Sequence, residues 1–336
     1  MPARTLLTAG ITGVGMSFPE RRLTNAELET MVDTKDDWIV ERTGIRERRL
    51  VERGVGASFH GAKAAEQALE HAGLKATDID LIIVPTVTPD MLFPATACLI
   101  QHMIGADKAW GYDMEAACSG FVFALQNARA QVESGFARRV LVIGTEVMSA
   151  ITDYTDRNTC ILFGDGAGAV VVEAVDPARV GIIDAILRVD GSGADLLKMD
   201  GGGSRMPPTA ESVAAKAHYI FQEGREVYKF AVKGMANITA EIVQKNGFTG
   251  PDVDLFVPHQ ANLRIIEAAQ RRVGLEDRQV GITIDRFGNT TSASIPSCLR
   301  VALEEGRLQE GSLVVATSFG AGFTWGSVLL RWNAPL

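Results

Sequence analysis

Cysteine is scarce in this chain. It has four, Cys98, Cys118, Cys160 and Cys298, scattered over 336 residues with no Cys-x-x-Cys pair. That excludes a disulfide framework or a zinc ribbon and fits reduced thiols in a cytoplasmic protein. Positive charge is also in deficit: 33 Lys and Arg against 41 Asp and Glu, a net charge of −8. General nucleic-acid binding is therefore not expected, and any basic docking face has to be local. No apolar run approaches the roughly 18 residues of a membrane helix. The early apolar stretch is broken by Gly10, Gly13 and Gly15 and lacks a continuous signal-peptide core. No histidines pair on one helix face, so no metal site is expected.

What is present is an ordinary globular composition, 46% hydrophobic and 22% charged. At 336 residues the chain is too long for one core and calls for two halves. Residues 5–15 read as a first strand. Thr24 followed by Glu27 resembles a capping box for a short helix to Val32. Asp36 to Arg46 reads as a helical turn ended by Gly44, and Ser58 to Gly73 as an alanine-rich helix. Asp80 to Pro85 and Arg139 to Gly144 are short, apolar and β-branched, the marks of buried strands. Phe93-Pro94 is expected to open a helix reaching Ile104. Residues 169–173 and 180–187 continue the strand signal, 191–222 read as an inserted Gly/Ser/Pro-rich loop, and Tyr228 to Lys245 as a helix.

The pattern of the first half then recurs. Asp254-Leu255-Phe256-Val257-Pro258 echoes Asp80 to Pro85. Cys118 follows Pro85 by 33 residues, and the Thr291-Ser292 region follows Pro258 at the same distance; each opens a helix. A buried strand comes after each helix, Arg139 to Gly144 and Ser312 to Thr317. Three landmarks at matching spacing indicate an internal duplication. The expected fold is α/β, two similar halves at 1–178 and 179–336 with helices covering two sheets.

Such a duplicate brings equivalent strand and helix ends together across a pseudo-twofold, and chemistry-bearing residues sit on those ends. Cys118 stands at a helix N-terminus, where the macrodipole favours a thiolate, so a lowered thiol pKa is expected. His259 follows Val257-Pro258, and Asn289 precedes the helix at Ala293. Thr317 to Trp325 supplies a glycine-rich turn with free backbone N–H groups, which can hold an oxyanion. Taken singly, Cys118 reads as a small core thiol, His259 as a satisfied histidine and Asn289 as a turn residue. Their joint placement on duplicated landmarks points to nucleophilic catalysis.

Five segments in order resemble the β-ketoacyl-acyl-carrier-protein synthase III group of the thiolase superfamily: Asp37 to Ile45, Ala116 to Phe121, Phe163 to Gly168, Pro258 to Asn262 and Gly288 to Ser294. The resemblance spans essentially the whole chain. It implies a duplicated thiolase-like fold of five layers, αβαβα, a cytoplasmic homodimer, and a Cys-His-Asn active site. Cys118 would be the acylated nucleophile. His259, through an Nε2–H, and the Asn289 amide would stabilise the enolate oxygen formed when malonyl loses CO2. The N–H groups of Cys118 and Ala321 would form the oxyanion hole. Trp38 and Arg157 would sandwich the adenine of coenzyme A, with Arg42 beside them and Asn262 near the pantetheine arm. Phe93, Phe163 and Phe319 would shape the primer pocket, Phe93 by reaching into the partner subunit. Arg264 would dock an acidic acyl carrier protein.

The implied reaction is condensation of an acyl-CoA primer, acetyl-CoA foremost, with malonyl-acyl-carrier-protein at the start of fatty acid synthesis. Coenzyme A enters as part of the substrate, with no separate cofactor, no nucleic acid and no membrane. Its main alternative is a starter-unit condensing enzyme or related acyltransferase of a secondary, polyketide-type pathway. A Cys-His-Asn hydrolase would cleave without making a carbon–carbon bond, and a binding module would tolerate loss of Cys118. Glu115 reads as structural. The G-x-G-x-x-A run at Gly164 to Ala169 precedes a strand, where a dinucleotide fold requires a helix, so no such site is expected. Gly201 to Arg205 lacks the Lys-Ser/Thr of a phosphate loop and reads as flexible.

Overall fold

The computed structural model describes residues 7–335. Strand β1, Thr8–Ser17, begins later than the pattern indicates, and positions 5 and 6 of that expectation lie outside the described residues. The first half continues with α1 (Ala57–Ala72), β2 (Leu81–Pro85), α2 (Thr96–Ile104), β3 (Trp110–Met114), α3 (Gly120–Glu133), β4 (Arg139–Val147) and β5 (Asp165–Val175). The second half has β6 (Ile182–Val189), α4 (Gly224–Lys245), β7 (Leu255–Pro258), α5 (Leu263–Val273), α6 (Ser294–Glu304), β8 (Leu313–Gly320) and β9 (Thr324–Arg331). The 178/179 division falls in the link between β5 and β6.

The two sheets share one topology. The first runs β1-β5-β4-β2-β3 and the second β6-β9-β8-β7. In each, the first two pairings are antiparallel and the next is parallel. Strand β3 pairs in parallel with β2, and a single parallel bridge from Phe256 to Val280 stands in its place in the second half. Helices α1, α2 and α3 thus correspond to α4, α5 and α6.

Strand alternation explains the layering. Leu81 and Ile83 face inward, onto α3 and α6, while Ile82 and Val84 face outward, onto α1 and α2. Val140 and Val142 face inward and Leu141 and Ile143 outward. In the second sheet Val314 and Ala316 join the inner core and Leu313 and Val315 the outer one beneath α4 and α5. Helices α3 and α6 therefore lie between the sheets, α1 with α2 and α4 with α5 outside them, which makes five layers. The alanines of α1 (Ala62, Ala64, Ala65 and Ala68) let it settle close on the first sheet. At Gly15 of β1 a Cβ would come within 2.3 Å of the Ala64 carbonyl oxygen, so glycine is required for that approach.

Local differences from the sequence expectations have local causes. Thr24 Oγ1 accepts from Glu27 N–H at 3.2 Å, but the Glu27 carboxylate turns to Arg21 instead of closing a capping box, and the helix stops at Leu28. The helix over Asp36–Thr43 ends on Gly44 in the left-handed region, as its sequence demands. Phe93-Pro94 lies in the loop ahead of α2, which starts at Thr96, where the Asp113 carboxylate takes the Thr96 and Ala97 N–H groups. The 191–222 segment is mostly irregular. A two-residue ribbon, Leu197–Lys198 against Phe221–Gln222, and a short helix, Ala210–Ala214, give it shape.

Candidate active site

Cys118 sits on a strained turn. A 3₁₀ turn, Ala117–Ser119, precedes α3, and Ala117 has φ 47°, in a region L-residues avoid. The Glu115 carboxylate holds the turn by accepting Ala117 N–H at 2.8 Å. The second half repeats it. Thr291 has φ 44°, Asn289 Oδ1 accepts Thr291 N–H at 2.9 Å, and a 3₁₀ turn, Thr291–Ala293, leads into α6. Asn289 thus corresponds to Glu115 and Ser292 to Cys118. The Thr291 N–H fixes the orientation of the Asn289 amide. Its Oδ1 is committed to the turn and its Nδ2 is left for the cavity that Asn289 lines.

His259 follows β7, its backbone N–H bonded to the Thr317 carbonyl of β8 at 2.8 Å. Its ring is buried, with Nδ1 2.7 Å from Ser294 Oγ and Nε2 without a partner. The neighbouring Gln260 is structural. Its amide donates to the Pro258 and Gly281 carbonyls and accepts the Thr283 and Ile284 N–H groups.

Cys118, His259, Asn289 and Ala321 all line one cavity of about 430 Å³. Phe163 and Phe319 are in its wall as expected, and a parallel bridge between Phe163 and Asn289 ties wall to catalytic turn. The hairpin of β8 and β9 presses directly on the nucleophile. A Cβ at Gly320 would stand 2.7 Å from Cys118 N, so only glycine brings the Ala321 turn this close. Ser318 Oγ–H donates to the Cys118 carbonyl and Thr324 Oγ1–H to the Ala116 carbonyl, which locks turn and hairpin together. The 191–222 segment is more than a loop, since Leu197, Met199 and Ile220 cover one side of the cavity.

The electrostatics correct one expectation. The thiol is not made acidic. Burial pushes Cys118 up to about 12, and the Glu146 carboxylate adds to the effect. The helix terminus does not outweigh the desolvation of an anion between two sheets. Glu146, a residue the sequence reading passed over, is itself buried at the end of β4. Burial raises its pKa, while Thr88 Oγ1–H at 2.6 Å and Val87 N–H at 3.1 Å donate to it. Ser292 Oγ, the counterpart of the nucleophile, lies 2.8 Å from it. Burial also lowers His259 to about 3, so the ring is neutral at physiological pH.

Comparisons with known proteins show the family. Residues 112–191 match the profile described as 3-oxoacyl-[acyl-carrier-protein] synthase III, and residues 243–332 match its C-terminal counterpart. The β-ketoacyl-[acyl-carrier-protein] synthase III of Koribacter versatilis is 49% identical, over 96% of this chain and 98% of the relative. The chain belongs to the β-ketoacyl-[acyl-carrier-protein] synthase III family. The enzyme of the same name from Caldanaerobacter subterraneus is 48% identical over 97% of this chain and 98% of its own. Among solved structures, the 3-oxoacyl-[acyl-carrier-protein] synthase III of Aquifex aeolicus superposes with a TM-score of 0.88 at 41% identity, covering 96% of this chain and 100% of that one. The priming β-ketosynthase of the R1128 polyketide pathway superposes at 0.92 with 35% identity, covering 100% and 99%.

The remaining expected synthase residues are Trp38, Arg42, Arg157, Asn262, Phe93 and Arg264. Two guanidinium groups stack over Trp38, those of Arg42 and Arg157, each 5.0 Å from its ring centroid. Arg157 also reaches Asp33 at 3.3 Å. An aromatic base between Trp38 and Arg157 needs about 7 Å, two van der Waals contacts. Arg157 thus covers the face that adenine was expected to share with it. Asn262 lines the cavity, but both ends of its amide are used: Nδ2–H donates to the Arg42 carbonyl at 2.8 Å and Oδ1 caps α5 through Arg264 N–H at 2.9 Å. Its job in this state is to join the Trp38 helix to α5. Phe93 does not line the cavity of its own chain. It projects from the surface at 84% exposure, next to Leu92 at 83%. Arg264 is exposed at the start of α5, its guanidinium 5.4 Å from the Tyr228 ring.

Proposed function

We propose that this chain forms a β-ketoacyl-[acyl-carrier-protein] by decarboxylative condensation of an acyl-CoA primer with malonyl-acyl-carrier-protein, the first carbon–carbon bond of fatty acid biosynthesis. The observation that carries it is the convergence of Cys118, His259 and the Asn289 amide on one cavity beside the Ala321 turn. Cys118 sulfur attacks the thioester carbonyl, the Cys118 and Ala321 N–H groups stabilise the oxyanion, and coenzyme A leaves. Malonyl thioester then enters and loses CO2. Its enolate oxygen accepts the Asn289 Nδ2–H beside His259, and its carbon attacks acyl-Cys118. Coenzyme A is part of the substrate, and backbone N–H groups and side chains together handle every charge, so no separate cofactor is required.

Acetyl-CoA is the primer we favour. Starter-unit condensation in a polyketide pathway is not favoured, because the relatives at 48–49% identity carry the β-ketoacyl-[acyl-carrier-protein] synthase III name and the polyketide enzyme stands at 35%. Carrier protein docks on the exposed basic residues of α4 and α5, Arg225, Lys229, Arg264 and Arg272, with Arg264 two residues after the cavity-lining Asn262. The active form is a homodimer. Strand β3 is a sheet edge with a half-exposed Trp110, and Leu92 and Phe93 are apolar side chains in want of a cover. Phe93 enters the partner's primer pocket. No helix of the described residues is long and apolar enough to cross a membrane, and we place the protein in the cytoplasm, where coenzyme A thioesters are made.

Purified protein given acetyl-CoA and malonyl carrier should release CO2 and yield acetoacetyl carrier, and Cys118→Ala should abolish the product. No product with a panel of short primers would refute the reading.

A further inference from the structure

Ser294 is absent from the expected site residues, yet it is the partner of the His259 ring. Its hydroxyl has one proton and two neighbours. The Thr291 carbonyl oxygen lies at 2.8 Å and His259 Nδ1 at 2.7 Å. All three groups are buried, so no water competes for them. The carbonyl can only accept. When Ser294 O–H donates to it, Nδ1 must be the donor to Ser294 Oγ, and both short contacts are hydrogen bonds. In the opposite arrangement Ser294 donates to Nδ1, and the contact between the hydroxyl and the carbonyl is lost. The first arrangement makes one more buried hydrogen bond. It places the ring proton on Nδ1 and leaves a lone pair on Nε2, the buried and unpartnered nitrogen of a residue that lines the same cavity as Cys118. The resting ring is thus the tautomer opposite to the Nε2–H donor that the sequence pattern indicates.

We propose that Ser294 is a positioning residue that sets this tautomer, so that His259 Nε2 serves as the base for acylation of Cys118. The inference rests on the condensing-enzyme reading above. The Cys118 thiol, half-buried on the cavity wall, needs such a base, because desolvation raises its pKa and it holds its proton in the resting state. In the step, Nε2 takes the thiol proton as sulfur bonds to the thioester carbonyl carbon. The tetrahedral intermediate collapses, the bond from that carbon to the sulfur of coenzyme A breaks, and the departing sulfur takes the proton from Nε2. The ring returns to its neutral Nδ1–H form with no net proton change. In the Ser294→Ala variant nothing accepts a proton from Nδ1, and the ring is free to carry it on Nε2.

The test is nitrogen-15 NMR of histidine-labelled protein at pH 7.5, with the His259 signals assigned from a His259→Asn variant among the five histidines. Wild type and Ser294→Thr, which keeps the hydroxyl, are expected to show a protonated Nδ1 and a bare Nε2. Ser294→Ala is expected to show the reverse. Rapid-quench mass spectrometry would time the two half-reactions. Ser294→Ala should slow acylation by acetyl-CoA at least about tenfold, while consumption of preformed acyl-enzyme by malonyl carrier changes less than about threefold. A protonated Nε2 in resting wild type overturns the proposal, as does equal slowing of both half-reactions with the wild-type tautomer retained. Neither result touches the condensing activity, which product formation reports separately.

Discussion

Titrating the reactivity of Cys118 tests the balance of forces at the site. An ordinary thiol ionises near 9.0, and burial, with the Glu146 carboxylate second, pushes this one up to about 12. That difference is about 4 kcal/mol against the anion. At pH 8 about one molecule in ten thousand then carries a thiolate, against about one in ten for an ordinary thiol. Alkylation by iodoacetamide, followed by intact-protein mass spectrometry, should rise about tenfold per pH unit from 7 to 10 and show no plateau. Glu146→Gln keeps a hydrogen-bonding side chain beside Ser292 and Thr88 but removes the negative charge. It should speed alkylation at pH 8 by about three- to tenfold, because a like charge no longer opposes the thiolate. A plateau below about pH 9 in the wild type would refute the reasoning. It would mean that the α3 terminus outweighs burial.

Four other outcomes follow from single features. Gly320→Ala should cost at least about a hundredfold in acylation while circular dichroism stays native, since the new methyl meets Cys118 N at 2.7 Å. Arg264→Glu should raise the KM for malonyl carrier about tenfold and leave acylation by acyl-CoA within about twofold, because an exposed charge acts on encounter with an acidic partner. Arg157→Ala should alter the KM for acyl-CoA but not for a pantetheine thioester lacking adenine, since the stack on Trp38 is the only part of the site it touches; equal effects on both would refute this. Burial lowers His259 to about 3 from 6.5, so the unfolded chain binds the extra proton between those values and stability falls as pH drops through that window. At pH 4.5 the loss relative to pH 7 should be about 2–3 kcal/mol larger in wild type than in His259→Asn by urea unfolding.

Much of the fold is legible in the sequence because buried strands such as Leu81–Pro85 and Arg139–Val147 are short, β-branched and bounded by turns. The return strand Thr324–Arg331 is harder to see, since its start, Thr324-Trp325-Gly326-Ser327, mixes polar and small residues with the tryptophan and masks the apolar run behind it. Cys118, His259 and Asn289 are legible through the duplication, which assigns each to a strand or helix end. What does not show in one dimension is how many layers cover a side chain. The helix terminus at Cys118 is visible in sequence, and the two sheets that desolvate it are not. Asn262 has the right neighbours for a substrate contact, but its amide is taken by Arg42 and by the cap of α5, bonds made only once the first half packs on the second. Glu146 did leave a signal, a lone acid closing an apolar strand. Ser294 left none, since a serine in the first turn of a helix is ordinary.

The duplicated turn explains why the site is asymmetric although its frame is not. In each half a side-chain oxygen two residues back accepts the N–H of a residue held at positive φ, Glu115 for Ala117 and Asn289 for Thr291. Such a conformation costs about 1–2 kcal/mol in each turn, and each half meets that cost with the same hydrogen bond. A carboxylate and a carboxamide serve this purpose equally, since both offer an oxygen. They differ in what is left over. Glu115 has a second acceptor beside a thiol that must become an anion, whereas Asn289 has a donor, directed at a cavity where an enolate oxygen forms. The next residue divides in the same way. Cys118 lines the cavity with a nucleophile, and Ser292 Oγ lies 2.9 Å from the Pro85 carbonyl and 2.8 Å from Glu146, which fastens the second half to the first. One copy of the turn therefore supplies the attacking atom and the other the electrostatic stabilisation. Exchanging the two oxygens, Glu115→Gln with Asn289→Asp, should keep both turns folded and lose condensation. Acylation should survive, because only the second half-reaction draws on the Asn289 donor.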